Sequence, residues 1–437
     1  YRGDEVKRKI LQELIDWKNK DNRAPLLLYG ARQVGKTYIA LEFGRDYFGN
    51  TIYLNFEDSQ GLAAIFERDF DIPRILREIS AKTGESIIPG QTLLIFDEIQ
   101  ACERALTSLK YFCEKAPEYH VIGAGSLLGI AVNRNQYSFP VGKVEIKTML
   151  PLDFEEFLTA IGKDKMAELI RKSYEEFIEF SLHEDAMELY RRYLIIGGMP
   201  KAVQDYIDTR DFNFVMSTQK TLNDSYIADM AKYSSAGETT RTLAAWNSIP
   251  AQLAKENKKF QYKVIKSGAR AYDYAPAIDW LNAAGMINRC ELVREGKLPL
   301  SAYVDSGSLK VYMMDTGLLC SKSEVPPIAI LSSTPAIDGF KGALTENYVM
   351  QSLVANGITP FYWTSGSSAE VDFVFQDNNG CIIPVEVKSA EHVRSRSLRK
   401  FIEEYSSPFA YRISGKNFGS ENGIRSVPLY AAFCIEK

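Results

Sequence analysis

One short motif limits the possible fold more than any other part of the chain. Residues 26–44 read LLLYGARQVGKTYIALEFG, an apolar run, a turn from Gly30 to Gly35, and then residues that favour a helix. The turn has the pattern G-x-x-x-x-G-K-T, which requires a strand before it and a helix after it. Glycines let the backbone approach an anion closely, and amides at a helix N-terminus attract negative charge. The motif therefore predicts a phosphate-binding loop on a parallel α/β sheet.

The loop predicts a role for each residue around it. We expect the backbone amides of residues 33–37 to face the phosphates of a nucleotide and Lys36 to reach the β and γ phosphates. The Thr37 hydroxyl would bind Mg²⁺. No guanine-recognition motif of the type N-K-x-D follows the loop, so we expect ATP rather than GTP. The predicted nucleotide-binding residues are Gly30, Gln33, Val34, Gly35, Lys36, Thr37 and Tyr38.

A second motif, TLLIFDEIQ at 92–100, ends an apolar run in two acids. Such a run is typical of a buried parallel strand that ends at the edge of a sheet. Asp97 is placed to hold Mg²⁺ through water, and Glu98 to activate the attacking water. The run HVIGAGSLLG at 120–129 contains Ser126, which either senses the γ-phosphate or is a turn residue with no special role.

The pattern of predicted helices and strands changes twice in the middle of the chain. Residues 153–235 have apolar residues at three-and-four spacing, which predicts a helical lid on the nucleotide domain. Residues 236–330 predict two helices and then two strands, the outline of a winged helix. Within them, residues 255–270 hold six Lys or Arg and one Glu, with Phe260 and Tyr262 between them. This segment is either a contact for duplex DNA or a solvated face. If the segment contacts DNA, we expect Lys258, Lys259 and Lys263 to face the phosphates.

The closing residues place acids on two predicted strands, EVDFVF and PVEVK, after a helix that contains Glu346. Glu386 and Lys388 share one face of their strand because side chains alternate with a period of two. The order of these elements resembles the core of PD-(D/E)xK nucleases. In that chemistry Asp372 and Glu386 would be metal ligands, and Glu346 would be a third acid. Lys388 would stabilise the hydroxide or the pentavalent intermediate.

The same residues also fit a strand with one face in water, because alternating charge on a half-exposed strand is common. A basic stretch follows the second strand, and we expect it to form a basic C-terminal helix that is a second candidate for DNA contact. The basic residues near this site are Lys388, Arg394, Arg396, Arg399 and Lys400.

Taken together, the motifs resemble a known family. YGARQVGKT, LLIFDEIQ, VIGAGSLLG and MLPLDFEEFL, with GGMPKAV, LNDSYIADMAKY and VYMMDTGLL further on, look like prokaryotic AAA-type P-loop ATPases whose C-terminal half long had no known function. The resemblance covers nearly the whole chain and implies ATP and Mg²⁺ as cofactors, a winged helix and a nuclease-like domain. One departure concerns Gly142 and Lys143, which stand where many relatives have Gly-Arg. An arginine finger is therefore not assigned, and Arg134 is only a candidate.

The length of 437 residues is enough for about three domains or more. We predict an α/β protein in four parts. A P-loop NTPase parallel sheet spans 1–152, a helical lid 153–235, a winged-helix domain 236–330, and a restriction-endonuclease-like α/β domain 335–437. The six cysteines and three histidines have no zinc-site or disulfide spacing.

Charge and hydropathy limit the possible partners. The net charge of −4 argues against a uniformly basic surface, so a DNA contact would be local. No apolar run approaches the roughly 18 residues of a membrane span, and we expect a cytoplasmic protein without membrane contact. Two functions stay open. One is an ATPase that acts on DNA through the nuclease-like domain, and the other is an ATP-dependent signalling or assembly switch whose last domain is an inert binding module.

Overall fold

The computed structural model describes residues 7–58, 61–126, 139–233, 235–255, 258–332, 334–366, 369–389 and 396–437. The described chain divides into two compact units. The first contains residues 7–150 and 283–285, and the second contains residues 151–282 and 286–437. Among the described helices, none combines the length and the apolar character that a bilayer span requires.

The first unit is built on a sheet of parallel strands. Its strands are β1 (Leu26–Tyr29), β2 (Asn50–Asn55), β3 (Thr92–Asp97), β4 (His120–Ala124) and β5 (Glu145–Thr148). Its helices are α1 (Ile10–Lys18), α2 (Lys36–Tyr47), α3 (Leu62–Glu67), α4 (Ile72–Thr83) and α5 (Glu103–Lys115). The strand order is β2-β3-β4-β1-β5, and each of these pairings is parallel. The predicted α/β fold with a parallel sheet is confirmed.

The apolar runs of the sequence become the buried centre of this sheet. Every residue of β3 and β4 is buried, as expected for parallel strands with both faces covered. Strand β4 lies between β1 and β3. Because the three strands are parallel, their C-terminal ends meet at one edge of the sheet, where the glycine loop, Asp97 and Ser126 all follow.

The second unit begins with helices and ends with a mixed sheet. Its helices are α6 (Phe154–Ala160), α7 (Asp164–Glu176), α8 (His183–Ile196), α9 (Pro200–Thr209), α10 (Phe212–Tyr233), α11 (Ala236–Leu253), α12 (Tyr262–Ile265), α13 (Ala271–Ala283), α14 (Thr316–Lys322), α15 (Pro327–Leu331), α16 (Asp338–Ala355) and α17 (Arg396–Tyr405). Its strands are β6 (Ile287–Val293), β7 (Val304–Met313), β8 (Phe361–Thr364), β9 (Glu370–Gln376), β10 (Ile382–Val387), β11 (Ala410–Ser414), β12 (Gly419–Glu421) and β13 (Ile424–Pro428). Short 3₁₀ helices lie at Ile99–Ala101 in the first unit and at Leu300–Tyr303, Pro335–Ile337 and Leu429–Cys434 in the second.

The eight strands of the second unit follow the order β12-β13-β11-β10-β9-β8-β6-β7. Strands β6 and β7 form the expected antiparallel ribbon, but β6 also pairs in parallel with β8, with Leu292 opposite Tyr362. The predicted segments 236–330 and 335–437 therefore share one sheet instead of forming two separate cores. This pairing covers an edge of β6 that an isolated ribbon would leave exposed.

The helices predicted as a lid at 153–235 also belong to the second unit. Aromatic side chains account for this placement. The buried Phe154 ring lies 5.5 Å from the Tyr193 ring and 6.4 Å from the Tyr348 ring of α16. Asp153 starts α6 with a capping box, in which it accepts from the Glu156 amide at 2.8 Å. The helical segment thus shares apolar packing with α16.

Candidate functional site

The glycine loop joins β1 to α2 in a shape that only glycine permits at two positions. Gly30 has φ +138°, and a Cβ built on it would lie 2.1 Å from the Met149 carbonyl oxygen. Gly35 has φ +96° and precedes the first residue of α2. Side chains at these positions would be strained, so the backbone amides of the loop depend on the two glycines.

Lys36 lies within the loop, with only 7% of its surface exposed. Its Nζ donates to the carbonyl oxygens of Gly30 at 2.9 Å and Ala31 at 2.7 Å. Burial lowers the pKa of Lys36 to about 8, although the charges of Glu98 and Asp97 act to raise it. The lysine is thus held at the position where the motif predicts a phosphate contact.

Thr37 and Asp97 come together at the end of the sheet. Thr37 Oγ1 donates to Asp97 Oδ2 at 2.8 Å, and the Tyr53 hydroxyl donates to the same oxygen at 2.7 Å. The other carboxylate oxygen accepts the amide of Glu98 at 3.0 Å. Three donors therefore fix the Asp97 carboxylate. Tyr53 was not predicted as a site residue. The feature that could have indicated it is the pairing of its strand, β2, with β3.

Glu98 follows the buried strand in a left-handed conformation, with φ +47°. A non-glycine residue adopts this conformation only where its surroundings compensate the cost. The Gln100 side-chain amide donates to the Glu98 carboxylate. Burial raises the pKa of Glu98 above its ordinary value, and the Gln100 hydrogen bond opposes that shift. A carboxyl group with a raised pKa suits proton transfer near neutral pH.

The other predicted nucleotide-binding residues surround the loop in different environments. Ser126 is buried just after β4, the strand between β1 and β3. Val34 is buried, and its carbonyl oxygen accepts from Arg8 at 3.1 Å. Gln33 has φ +63°, whereas Tyr38 on α2 is 54% exposed. The arginine-finger candidate Arg134 lies outside the described residues.

The predicted acids of the C-terminal half form a second cluster. Asp372 Oδ2 accepts the amide of Val387 at 2.8 Å, and Lys388 Nζ lies 3.4 Å from Glu386 Oε1. Asp372 stands on β9, which pairs with β10 so that Phe373 faces Val385. The structure thus brings Asp372, Glu386 and Lys388 to neighbouring positions on two paired strands.

Glu346 has partners that the sequence did not predict. Its carboxylate accepts from the Tyr312 hydroxyl and from Lys258, and Lys310 Nζ lies 3.4 Å away. The side chain is 3% exposed, and a buried carboxylate requires such partners. Burial alone would raise the pKa of Glu346, but Lys310 and Lys258 lower it to about 2. This acid is therefore already neutralised by lysines.

Lys310 is the main residue of this cluster that the sequence analysis missed. Its side chain is 1% exposed, and its Nζ lies 2.6 Å from Glu370 Oε1 and 5.0 Å from the centre of the Tyr362 ring. The signal for it was a lysine inside the apolar run SLKVYMM on β7. Burial raises the pKa of Asp372 to about 6, and Glu346 adds to that shift.

The carboxylates of this cluster do not fit the predicted magnesium site. Within the described parts of the chain, no group of three or more His, Cys, Asp or Glu side chains is arranged to hold a metal ion. Glu386 Oε2 is buried without a hydrogen-bond partner, but Glu346 and Glu370 are paired with lysines. A divalent ion that used Glu346 or Glu370 as a ligand would have to displace those ammonium groups.

The basic segment at 255–270 turns Lys258 and Phe260 inward, whereas most of its basic side chains stay on the surface: Lys259, Lys263, Lys266 and Arg270 are exposed. Lys258 points to Glu346, and its side chain is 17% exposed. Phe260 is buried, and its amide donates to Leu309 on β7 at 2.8 Å. Burial of the Phe260 ring and the ion pair between Lys258 and Glu346 turn this part of the segment toward the sheet.

The predicted basic C-terminal helix is α17, which begins at Arg396. Arg396 and Arg399 are exposed, and Lys400 Nζ donates to Ser365 Oγ at 2.9 Å. Arg394 lies outside the described residues. Leu398 and Phe401 bury the opposite face of the helix in the apolar core of the sheet. The helix therefore keeps a charged surface.

Three family models match parts of this chain. A model described as an AAA domain matches residues 22–158. Two models described as domains of unknown function, DUF8612 and DUF4143, match residues 187–328 and 341–431. No curated protein matches the chain.

Several solved structures are distantly similar. The Walker-type ATPase PABY2304 of Pyrococcus abyssi is 15% identical over 74% of this chain and 97% of its own, with a TM-score of 0.47. The ORC1 protein of Aeropyrum pernix, solved in complex with DNA, is 14% identical over 74% of this chain and 92% of its own, with a TM-score of 0.29. The RuvB Holliday junction branch migration motor of Thermotoga maritima is 16% identical over 68% of this chain and 89% of its own, with a TM-score of 0.30. Likenesses at these identities and TM-scores carry no conclusion about function.

The match at 22–158 covers the glycine loop, Lys36, Thr37, Asp97 and Glu98, whose geometry agrees with the motif spacing. Residues 22–158 therefore match the model of an AAA domain and contain the glycine loop and the two acids of the candidate nucleotide site.

Proposed function

We propose that this chain binds ATP together with Mg²⁺ and hydrolyses it. The observation that carries this proposal is the 2.8 Å hydrogen bond from Thr37 Oγ1 to Asp97 Oδ2. It joins the end of the glycine loop to the acid of the second motif across 60 positions of sequence. The match of this segment to an AAA domain supports the same conclusion.

The residues around Thr37 fit a magnesium ion that is bound with nucleotide phosphates. Such an ion takes one or two protein carboxylates, phosphate oxygens and waters as ligands. Thr37 supplies a hydroxyl and Asp97 a carboxylate, and the Tyr53 hydroxyl keeps that carboxylate in place. When bound, the ion would neutralise charge on the phosphates. Thr37 and Asp97 are therefore the residues that would hold it.

Lys36 and the start of α2 would bind the phosphates themselves. The Lys36 ammonium now donates to two loop carbonyls, and it would exchange them for oxygens of the β and γ phosphates. The amides of residues 33–37 lie at the N-terminus of α2, where the helix dipole favours an anion. These groups account for nucleotide affinity.

Glu98 would accept the proton of the attacking water. Burial makes its carboxylate more basic than usual, and the Gln100 hydrogen bond holds that carboxylate in place at the edge of the sheet. Ser126 follows the strand between β1 and β3 and is buried, and its hydroxyl would contact the γ-phosphate. The chain's own residues thus supply phosphate binding, a base and a γ-phosphate contact.

Replacement of Lys36 by Ala tests nucleotide binding directly. We expect ATP affinity to fall by about tenfold to a hundredfold, because a hydrogen bond to a charged group contributes roughly 1.5–3 kcal/mol. Isothermal titration with ATP and Mg²⁺ measures the change, and Lys82→Ala on the exposed side of α4 is the matched control. Wild-type affinity in Lys36→Ala would contradict the proposed site.

For the C-terminal half we propose a binding role in an ATP-dependent switch rather than cleavage of DNA. The specific observation is that Lys258 and Lys310 are paired with Glu346 and Glu370, so the third acid of the predicted metal site is already neutralised. The exposed Lys263, Arg396 and Arg399 are the residues through which a local duplex contact would act.

Incubation with supercoiled plasmid separates the two roles of the C-terminal half. We expect no nicking in Mg²⁺ or Mn²⁺, with or without ATP, and an ATP-dependent change in sedimentation that Lys36→Ala lacks. Nicking by the wild type that Glu386→Ala abolishes would instead make this segment a nuclease.

A further inference from the structure

The buried lysine Lys310 occupies the middle of the C-terminal carboxylate cluster. It extends from β7 and reaches acids on two other elements, Glu346 of α16 at 3.4 Å and Glu370 of β9 at 2.6 Å. Only 1% of the side chain is exposed. A buried ammonium is stable only where carboxylates compensate the loss of water.

Lys310 stays charged in these surroundings. Burial acts to lower its pKa, but Glu346, Asp372 and Glu370 together raise the pKa above the ordinary value for lysine. The contacts and the shift agree in direction. The ammonium is therefore a fixed positive charge inside the fold at neutral pH.

The cluster is close to electrical balance without any added ion. Its acids are Glu346, Glu370, Asp372 and Glu386, and its bases are Lys258, Lys310 and Lys388. Four acids against three lysines leave one excess negative charge.

A divalent ion would meet an unfavourable field here. Without a phosphate ligand, Mg²⁺ or Mn²⁺ would depend on the carboxylate oxygens of the cluster, and the described residues offer no group of three acids arranged for a metal. Glu386 Oε2 is buried without a partner, but Lys388 lies 3.4 Å from the other oxygen of the same carboxylate. Lys310 already performs the neutralisation that a metal would supply.

We propose that Lys310 is the permanent cation of this cluster and replaces the divalent metal, so that the C-terminal segment reaches its folded, neutralised state without a metal ion. This deepens the non-cleaving role proposed above and rests on it. It also explains why the ribbon β6–β7 is joined to α16 and β9, since the Lys310 side chain comes from the ribbon and its partners from the other two elements.

Titration of the nucleotide-free full chain with Mn²⁺ tests the proposal, with bound metal read by electron paramagnetic resonance and unfolding temperature measured in parallel. We expect wild type and Glu386→Gln to give the same Mn²⁺ binding and no metal-dependent rise in Tm. Lys310→Met removes the ammonium group that separates the carboxylates, so they repel one another and the Tm of the variant should fall. Added Mn²⁺ should then restore part of the lost Tm. Lys310→Arg keeps the charge and should behave as the wild type.

Two results would overturn the proposal. One is a Mn²⁺ ion bound by the wild type and lost in Glu386→Gln, and the other is a folded Lys310→Met that gains no Mn²⁺ binding. If Lys310→Met does not fold, the comparison of Mn²⁺ binding between the wild type and Glu386→Gln decides whether the proposal holds. Metal binding without plasmid nicking would contradict the role of Lys310 and leave the proposed switch intact.

Discussion

The basicity of Glu98 depends on a neighbour two positions along the chain. Gln100 is 8% exposed, its amide donates to the Glu98 carboxylate, and its own carbonyl oxygen is buried without a partner. Burial raises the pKa of Glu98, Asp97 and Glu57 raise it further, and Lys36 and the Gln100 hydrogen bond oppose them. Gln100 thus positions the proposed base and limits how far its pKa rises.

Replacement of Gln100 by Ala should change the pH dependence of ATP hydrolysis. Loss of the hydrogen bond removes an interaction that lowers the pKa of Glu98, so the base becomes ionised only at higher pH. We expect the acid limb of the pH–rate profile to move to higher pH. Turnover at neutral pH should fall by about twofold to tenfold, the effect of one hydrogen bond of roughly 1 kcal/mol. A uniform loss at all pH values would contradict this role.

Local motifs allowed the nucleotide-site residues to be predicted, whereas partners from distant strands were not predictable. The spacing in GARQVGKT places Lys36 and Thr37, because these eight consecutive residues form the loop. Tyr53 and Lys310 have no such motif. Their contacts depend on which strands pair, and a single side chain in a strand does not contain that information.

At the scale of elements, the loop between β1 and α2 depends on close backbone packing. The loop begins where Gly30 touches Met149, whose amide donates to Tyr29 at 2.7 Å. This contact holds the end of β1 beside the end of β5. The anion-binding amides are therefore aligned by the sheet as well as by the glycine pattern.

Replacement of Gly30 by Ala should destabilise the first unit and weaken ATP binding. A Cβ only 2.1 Å from a backbone oxygen forces the loop to move, at a cost of about 3 kcal/mol or more. Gly84→Ala is the matched control, since it has φ +76° at the end of α4 with no atom within 4 Å of the added Cβ. It should cost only about 1 kcal/mol and leave ATP affinity unchanged. Chemical denaturation and ATP titration of both variants measure these effects, and equal losses would contradict the steric account.

Elements with strong apolar runs were easier to predict than their arrangement. The runs ending in Asp97 and at 120–124 became the buried strands β3 and β4. The periodicity of β6 and β7 predicted a ribbon, but it did not indicate that β6 also pairs with β8. An apolar pattern indicates which face is buried and does not specify the partner strand.

At the scale of the whole molecule, ion pairs link segments that are distant in sequence. Lys258 reaches Glu346 across 88 positions and ties the segment before α12 to α16. The sequence pattern predicted that this lysine lies either on a contact for duplex DNA or on a solvated face. Its burial beside a carboxylate makes it part of the second unit's structure instead.

Replacement of Lys258 by Met should lower the free energy of unfolding, as expected for a lysine with a structural role. The change leaves Glu346 with fewer partners, and we expect a loss of about 2 kcal/mol, because breaking a buried pair leaves a charge uncompensated. Lys263→Met on the exposed side of the same segment should change stability by less than about 0.5 kcal/mol. Urea denaturation measures the free energy of unfolding of both variants, and the comparison holds when the dependence on urea concentration is the same in each. A larger loss in Lys263→Met would reverse the assignment.

ATP turnover by Glu98→Gln, measured together with its ATP affinity, tests the central claim most directly. We expect the variant to bind ATP and Mg²⁺ as the wild type does, because Lys36, Thr37 and Asp97 are unchanged. Its single-turnover hydrolysis should fall by about 10²–10⁴-fold, the contribution of a positioned general base. Turnover at the wild-type rate would contradict the assignment of Glu98 and with it the proposed hydrolytic site.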